Sequence, residues 1–74
     1  MYRQIWLFNE VECFVFDVIP GISDDPTLRH GWLCFDCGDE RRRFAPIPEH
    51  WERLSERDLW KIWAEAKPSP PIAL

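Results

Sequence analysis

The tripeptide Pro46-Ile47-Pro48 divides the chain into two parts with different residue patterns. Because proline has no backbone N–H to donate, a β-ladder cannot continue through a segment in which two of three residues are prolines. Before this motif, aromatic and branched residues alternate as they do in strands, and after it apolar residues recur at helical spacing. A chain of 74 residues has room for one domain only. The sequence therefore predicts a single α+β domain.

Four strands are predicted before the proline motif, and they form two β-hairpins in a mainly antiparallel sheet. The strands cover residues 2–8, 11–19, 31–36 and 40–45. Asn9-Glu10 and Cys37-Gly38-Asp39 have the residue types of tight turns, and a polar, proline-containing loop over residues 22–30 separates the two hairpins. Neither face of the second strand is clearly polar, so we expect both of its faces to be covered.

One C-terminal helix is predicted after the proline motif. Ser55 has the side chain of a helix N-cap, and a short helical turn is expected just before it, over residues 49–53. Within the helix, Leu59, Ile62 and Trp63 fall on one stripe, which we expect to pack on one face of the sheet. Three prolines end the helix, so residues 67–74 are predicted to form a Pro-rich tail outside a ββββα domain of residues 1–66.

The densest run of charge is Asp39-Glu40-Arg41-Arg42-Arg43. In an extended strand Arg41 and Arg43 point to the same side, where Trp32 and Phe44 could help them to bind a phosphate or to stack on bases. The competing interpretation pairs these arginines with neighbouring acidic side chains. The net charge of −4 argues against general nucleic-acid binding, because phosphate neutralisation needs clustered positive charge. Binding of nucleic acid or an anionic ligand through Arg41 and Arg43 is therefore an alternative only.

The three cysteines leave two interpretations open. Cys34 and Cys37 have the Cys-x2-Cys spacing of a zinc knuckle, which Cys13 with His30 or His50 could complete. This pair is only half of a zinc signature, and packing of Cys34 in the interior is the simpler interpretation. An odd number of cysteines without an export signal favours reduced thiols and a cytoplasmic location. We expect no metal and no cofactor, with a small structural zinc-binding domain as an alternative.

The motifs do not predict catalysis. His30 and His50 have no serine or cysteine at a spacing typical of a catalytic pair, and the sequence has no phosphate-binding glycine loop. No segment approaches the ~20 apolar residues of a membrane-spanning helix. We therefore expect a chain that is not an enzyme and has no membrane span.

The aromatic content gives the main functional expectation. Five Trp, five Phe and one Tyr make up 15% of the chain, which is more large apolar surface than so short a chain can bury alone. Trp60 lies outside the apolar stripe of the predicted helix, and Trp is enriched at binding hot spots. We expect a non-catalytic interaction or regulatory module that binds a protein partner, or its own copy, through Trp60, Trp32 and Trp51. For Trp51, packing over the end of the sheet is the competing interpretation.

The segment from Gly31 to Pro48 has the sequence GWLCFDCGDERRRFAPIP, and Trp51 and Leu54-Ser55 follow it. This segment resembles a family of small, uncharacterised bacterial proteins with a GWLxFxxGxERRRxAPIPxxW-like core. The resemblance implies a bacterial origin and a shared hairpin-then-helix fold for roughly the second half of the chain. It implies no activity and no site residue, and it does not extend to the N-terminal hairpin.

Overall fold

The computed structural model describes residues 2–19 and 30–69. These residues form an antiparallel sheet in which the strands neighbour each other in the order of the sequence. The strands are β1 (Tyr2–Leu7), β2 (Val11–Val18), β3 (Trp32–Asp36), β4 (Arg41–Phe44) and β5 (Lys67–Pro68), and the helices are a 3₁₀ helix (Trp51–Arg53) and α1 (Glu56–Glu65). The predicted α+β class is confirmed, with five strands rather than four.

The first hairpin joins β1 to β2 through residues 8–10. The Glu10 N–H donates to the Leu7 carbonyl at 2.9 Å. Phe8 and Asn9 both have positive φ, 52° and 61°, as the central residues of a type I′ turn do. The turn is one residue longer than predicted, because Phe8 leaves the strand and adopts the left-handed conformation itself.

Gly31 stands where β3 begins beside the end of β2. Its φ is 93°, and a Cβ atom at this position would lie 2.6 Å from the Val18 carbonyl oxygen and 2.8 Å from the Ile19 side chain. Only glycine suits both this backbone conformation and this space. The close approach allows Val18 to pair with Trp32 and continues the ladder from β2 into β3.

α1 packs on one face of the sheet, which we call the inner face. The buried core on this face consists of Ile5, Leu7, Cys13, Val15, Leu33, Phe35, Trp51 and Leu59. Ile62 and Trp63 pack against this core, so the predicted stripe of the helix is confirmed. The predicted N-cap is confirmed as well, because the Ser55 hydroxyl accepts a hydrogen bond from the Asp58 N–H at 3.1 Å.

β5 is the element that sequence analysis does not predict. It pairs antiparallel with β4, and just beyond it the Ser69 N–H donates to the Arg41 carbonyl at 2.9 Å. The prolines predict a tail over residues 67–74, since Pro68 cannot donate to a ladder. The strand forms because it lies at the edge of the sheet, where a proline is tolerated.

A disulfide bond joins Cys13 to Cys37. The register pairs Phe14 of β2 with Asp36 of β3. Cys13 and Cys37 therefore lie opposite each other, and their Cα atoms are 4.1 Å apart. This bond corrects the expectation of three reduced thiols. Cys34 is the free cysteine, and it is buried.

Two predicted segments extend beyond the described residues. All of the predicted loop over residues 22–30 except its last residue lies outside them, and so do residues 70–74 of the predicted tail. Within the described ranges, no helix is long and apolar enough to cross a membrane.

Candidate functional site

The outer face of the sheet lies opposite α1, and no described helix packs on it. The strand registers place thirteen side chains there: Tyr2, Gln4 and Trp6 from β1, Glu12, Phe14, Phe16 and Val18 from β2, Trp32, Cys34 and Asp36 from β3, Arg41 and Arg43 from β4, and Lys67 from β5. Among residues 2–19 and 30–69, the one α-helix covers one side of the sheet, so these residues do not bear out the expectation that both faces of the second strand are covered.

An aromatic row, consisting of Tyr2, Trp6, Phe14, Phe16 and Trp32, forms the apolar part of the outer face. Tyr2 is 66% exposed, Trp6 46% and Phe14 37%. The rings of Tyr2 and Phe14 contact each other, with their centroids 6.1 Å apart. Phe16 and Trp32 are half-buried on neighbouring strands. Exposed apolar side chains that share one face of a sheet in this way are typical of an interaction site.

The most exposed members of this row, Tyr2, Trp6 and Phe14, are not among the predicted site residues. The signal in the sequence is the alternation itself, since they share one face of the first hairpin while Ile5 and Val15 share the other. The alternation shows which side chains lie together, but it does not show which face the helix covers.

Cys34 lies in the middle of the outer face and is nevertheless buried. It stands opposite Phe16 on one side and Arg43 on the other, so longer side chains flank it on both neighbouring strands. Burial raises the pKa of the Cys34 thiol; the charge of Arg41 lowers it in part, and Asp36 adds to the rise. The thiol therefore stays neutral at physiological pH and lacks the solvent exposure of a reactive cysteine.

Arg41 is engaged within the sheet. Its Nη2 lies 3.1 Å from Oδ2 of Asp36, and its Nη1 is buried without a hydrogen-bond partner among the described residues. Nη1 is thus closed to solvent, and Nη2 is engaged by a carboxylate. The arrangement matches the competing interpretation, in which the arginine pairs with a neighbouring acidic side chain.

Arg43 and Lys67 provide the free positive charge of the outer face. They stand opposite each other on β4 and β5, and neither side chain has a hydrogen bond or ion pair within the described part of the chain. Trp32 is the diagonal neighbour of Arg43 on β3. The register thus places Trp32 and Arg43 on the same face of the sheet, whereas Phe44 lies on the inner face.

Arg42, the middle arginine of the run, points to the inner face. Its guanidinium lies 3.8 Å from the centre of the Trp63 ring and donates to the Trp63 carbonyl at 2.9 Å. It also pairs with Glu40. Arg42 therefore fastens α1 to β4 and does not belong to the outer face.

The three tryptophans predicted to bind a partner do not form one surface. Trp32 lies on the outer face, but Trp51 is only 3% exposed and belongs to the core, as its competing interpretation has it. Trp60 is half-buried; its Nε1 donates to the Trp6 carbonyl at 3.1 Å, and its ring lies 5.1 Å from that of Phe8. Of the three, Trp32 is the one placed within the aromatic row.

The described residues contain no group of three or more His, Cys, Asp or Glu side chains that could hold a metal ion. Cys13 and Cys37 are bonded to each other, and His50 is exposed beside Glu49, with Nε2 and Oε1 3.5 Å apart. A zinc site of the predicted kind needs these cysteines as free thiolates. With Cys13 and Cys37 bonded to each other, Cys34 is the one cysteine that remains a free thiol.

Comparison with known proteins gives no relative from which a function could be transferred. No protein-family model, no curated protein and no solved structure matches the chain. The resemblance to a bacterial family stays a prediction. A function has to be argued from the outer face itself.

Proposed function

We propose that this chain is a non-catalytic interaction module that binds a protein partner through the outer face of its sheet. The observation that supports the proposal is the aromatic row, in which Tyr2, Trp6 and Phe14 are between 37% and 66% exposed. Removing apolar surface from water is favourable by roughly 25 cal/mol per Å². A partner that covers the aromatic row therefore gains binding free energy, because it removes this apolar surface from water.

The charges beside the row favour a partner segment that combines apolar and acidic side chains. Arg43 and Lys67 are free of ion pairs within the described residues, whereas the carboxylates of Asp36 and Glu12 are already engaged with neighbours. The outer face thus offers positive charge although the chain carries a net charge of −4. Such complementarity sets the orientation and rate of association more than the affinity.

A comparison of two double variants as baits in a lysate of the source organism tests this proposal. Phe14→Ser with Trp32→Ser removes two members of the aromatic row. Arg57→Ser with Lys61→Ser removes two exposed side chains of α1 and serves as the control. We expect the wild type and the control to capture the same proteins and the outer-face variant to lose them. Capture that is unchanged in a folded outer-face variant contradicts the proposal.

Binding of single-stranded nucleic acid, or of another anionic ligand, is the second candidate. It is favoured by one observation, the shared face of Trp32 and Arg43, since base stacking beside a cation is how single-strand binders work. Binding is expected to weaken with added salt and with Arg43→Ala plus Lys67→Ala. No binding to single-stranded DNA or RNA at low salt removes this candidate.

The disulfide also bears on the location of the protein. Reduced thiols favour the cytoplasm, as the cysteine count predicts, whereas a Cys13–Cys37 bond favours an oxidising compartment. A count of free thiols in protein denatured directly from its source separates the two. One free thiol, that of Cys34, supports the oxidising compartment.

A further inference from the structure

The two edges of the sheet differ in their capacity to pair with another strand. β5 is two residues long and consists of Lys67 and Pro68, and short length, lysine and proline are the features that block edge pairing. β1, at the other edge, has six residues and neither lysine nor proline. Its one charged side chain, Arg3, donates to the carbonyls of Trp51 and Leu54. No described strand pairs with the outer side of β1, although one backbone group there, the Trp6 carbonyl, is already hydrogen-bonded.

The backbone groups that face this edge can be assigned. The Trp6 carbonyl accepts hydrogen bonds from the Asn9 N–H at 3.3 Å and from Trp60 Nε1 at 3.1 Å. A carbonyl oxygen has two lone pairs, so this one does not also bond to β2. Because the peptide groups of a strand alternate between its two sides, the N–H and C=O of Gln4 and Tyr2 also face away from β2.

We propose that β1 pairs antiparallel with β1 of a second copy of this chain, about a two-fold axis at Gln4. The backbone N–H of each Gln4 then donates a hydrogen bond to the backbone carbonyl of the partner subunit's Gln4. Each Trp6 N–H donates to the carbonyl of the partner subunit's Tyr2, while the Trp6 carbonyl stays with Trp60. The pairing merges two sheets into one and makes their outer faces continuous.

The side chains agree with this register. Tyr2, 66% exposed, comes to lie directly opposite the partner subunit's Trp6, 46% exposed, and cross-strand aromatic pairs stabilise sheets. The Gln4 side chain donates to Glu12 at 2.6 Å, which draws it towards β2 and away from the axis. A register centred on Arg3 places two like charges opposite each other and is disfavoured.

This pairing does not depend on the proposed function. It uses the backbone of the β1 edge, whereas the proposed protein partner binds the outer face of the sheet. Sedimentation equilibrium over a concentration series measures it. The wild type is expected to reach twice its chain mass of 8.9 kDa. Gln4→Lys, which places two ammonium groups at the axis, and Gln4→Pro, which removes the N–H that faces the edge, are expected to sediment at 8.9 kDa. Glu65→Gln changes the net charge as Gln4→Lys does, at an exposed position of α1, and is expected to stay a dimer.

Hydrogen exchange gives a second readout that needs no variant. The Gln4 and Trp6 amides are expected to exchange more slowly as the wild-type concentration rises, which decides the matter even where a Gln4 variant fails to fold. A wild-type monomer at every concentration overturns the proposal. So does a dimer of unchanged strength in both folded Gln4 variants, or one that Phe14→Ser with Trp32→Ser abolishes and the Gln4 variants do not. Slow exchange of these amides in a monomer overturns it too, because the chain then covers its own edge.

Discussion

The two faces of one sheet carry similar side chains, yet one is core and the other is surface. Val15 and Phe35 are fully buried on the inner face, while Phe14, beside Val15 on the same strand, is 37% exposed on the outer face. The difference does not lie in residue type. It lies in the position of α1, which packs on one side only. The packing of a single helix thus gives an aromatic hairpin a core on one side and leaves an exposed aromatic surface on the other.

Two arginines help to fix the side on which the helix lies. Arg3 of β1 donates to backbone carbonyls of Trp51 and Leu54, at and just after the 3₁₀ helix. Arg42 of β4 covers the ring of Trp63 and donates to its carbonyl. Both side chains belong to the inner face, so the helical segment is tied to β1 and β4 through polar as well as apolar contacts.

The largest difference between the faces is expected from truncation of buried and exposed residues. Leu59→Ala empties a fully buried position and is expected to lower the free energy of unfolding by about 2–5 kcal/mol. Phe14→Ala on the outer face is expected to cost less than about 1 kcal/mol, since its ring is already partly in water. Urea denaturation measures both. Equal losses in the two variants contradict the assignment of the faces.

Reduction of the disulfide is expected to have the next largest effect. Cys13 and Cys37 are 24 residues apart, and a bond that closes a loop of this length stabilises a fold by about 3 kcal/mol. Urea denaturation with and without a reductant is expected to show this loss. Cys13→Ala with Cys37→Ala is the control, because its midpoint has no reason to respond. A wild-type midpoint that does not move shows that the bond does not stabilise the fold.

A smaller effect is expected at the start of α1, the helix that packs on the inner face. Ser55→Ala removes the acceptor for the Asp58 N–H and is expected to destabilise the fold by about 1 kcal/mol. Ser55→Asp keeps an acceptor at the same position and is expected to restore most of the loss. Thermal unfolding followed by circular dichroism measures both. The same loss of stability in both variants would mean that the loss does not come from the side-chain acceptor at position 55.

The smallest effect is expected from the titration of Cys34. Burial holds the pKa of this thiol above its ordinary value in the folded state, so the unfolded chain loses its proton first. The free energy of unfolding should therefore fall as the pH rises above the ordinary thiol pKa towards the raised pKa of the folded state. Cys34→Ala is expected to show a shallower decline in the same pH series. Parallel declines would mean that this thiol is not buried in solution.

The elements were largely predictable, because their signals are local. Ser55 and the stripe through Leu59 predict the helix, and Pro46-Ile47-Pro48 predicts where the sheet ends. β5 was not predictable, because Pro68 argues against a strand at every position except a sheet edge. Only the arrangement of the other strands shows that Pro68 lies at a sheet edge.

The candidate site was predictable only in part, because it depends on which elements meet. Alternation predicts that Arg41 and Arg43 share a face. The structure adds that Asp36 forms a salt bridge with Arg41. The disulfide depends on the register of β2 against β3, which no spacing between Cys13 and Cys37 reveals. Exposure of the aromatic row depends on where the helix packs.

The Cys13–Cys37 bond closes the chain between these residues into a covalent ring that includes residues 20–29. A protease that cuts once within this ring opens it but releases no fragment, because the two pieces remain joined through the disulfide. The nicked protein keeps its mass but for one added water, and two pieces separate only on a reducing gel. Proteolysis of this molecule should therefore be scored after reduction.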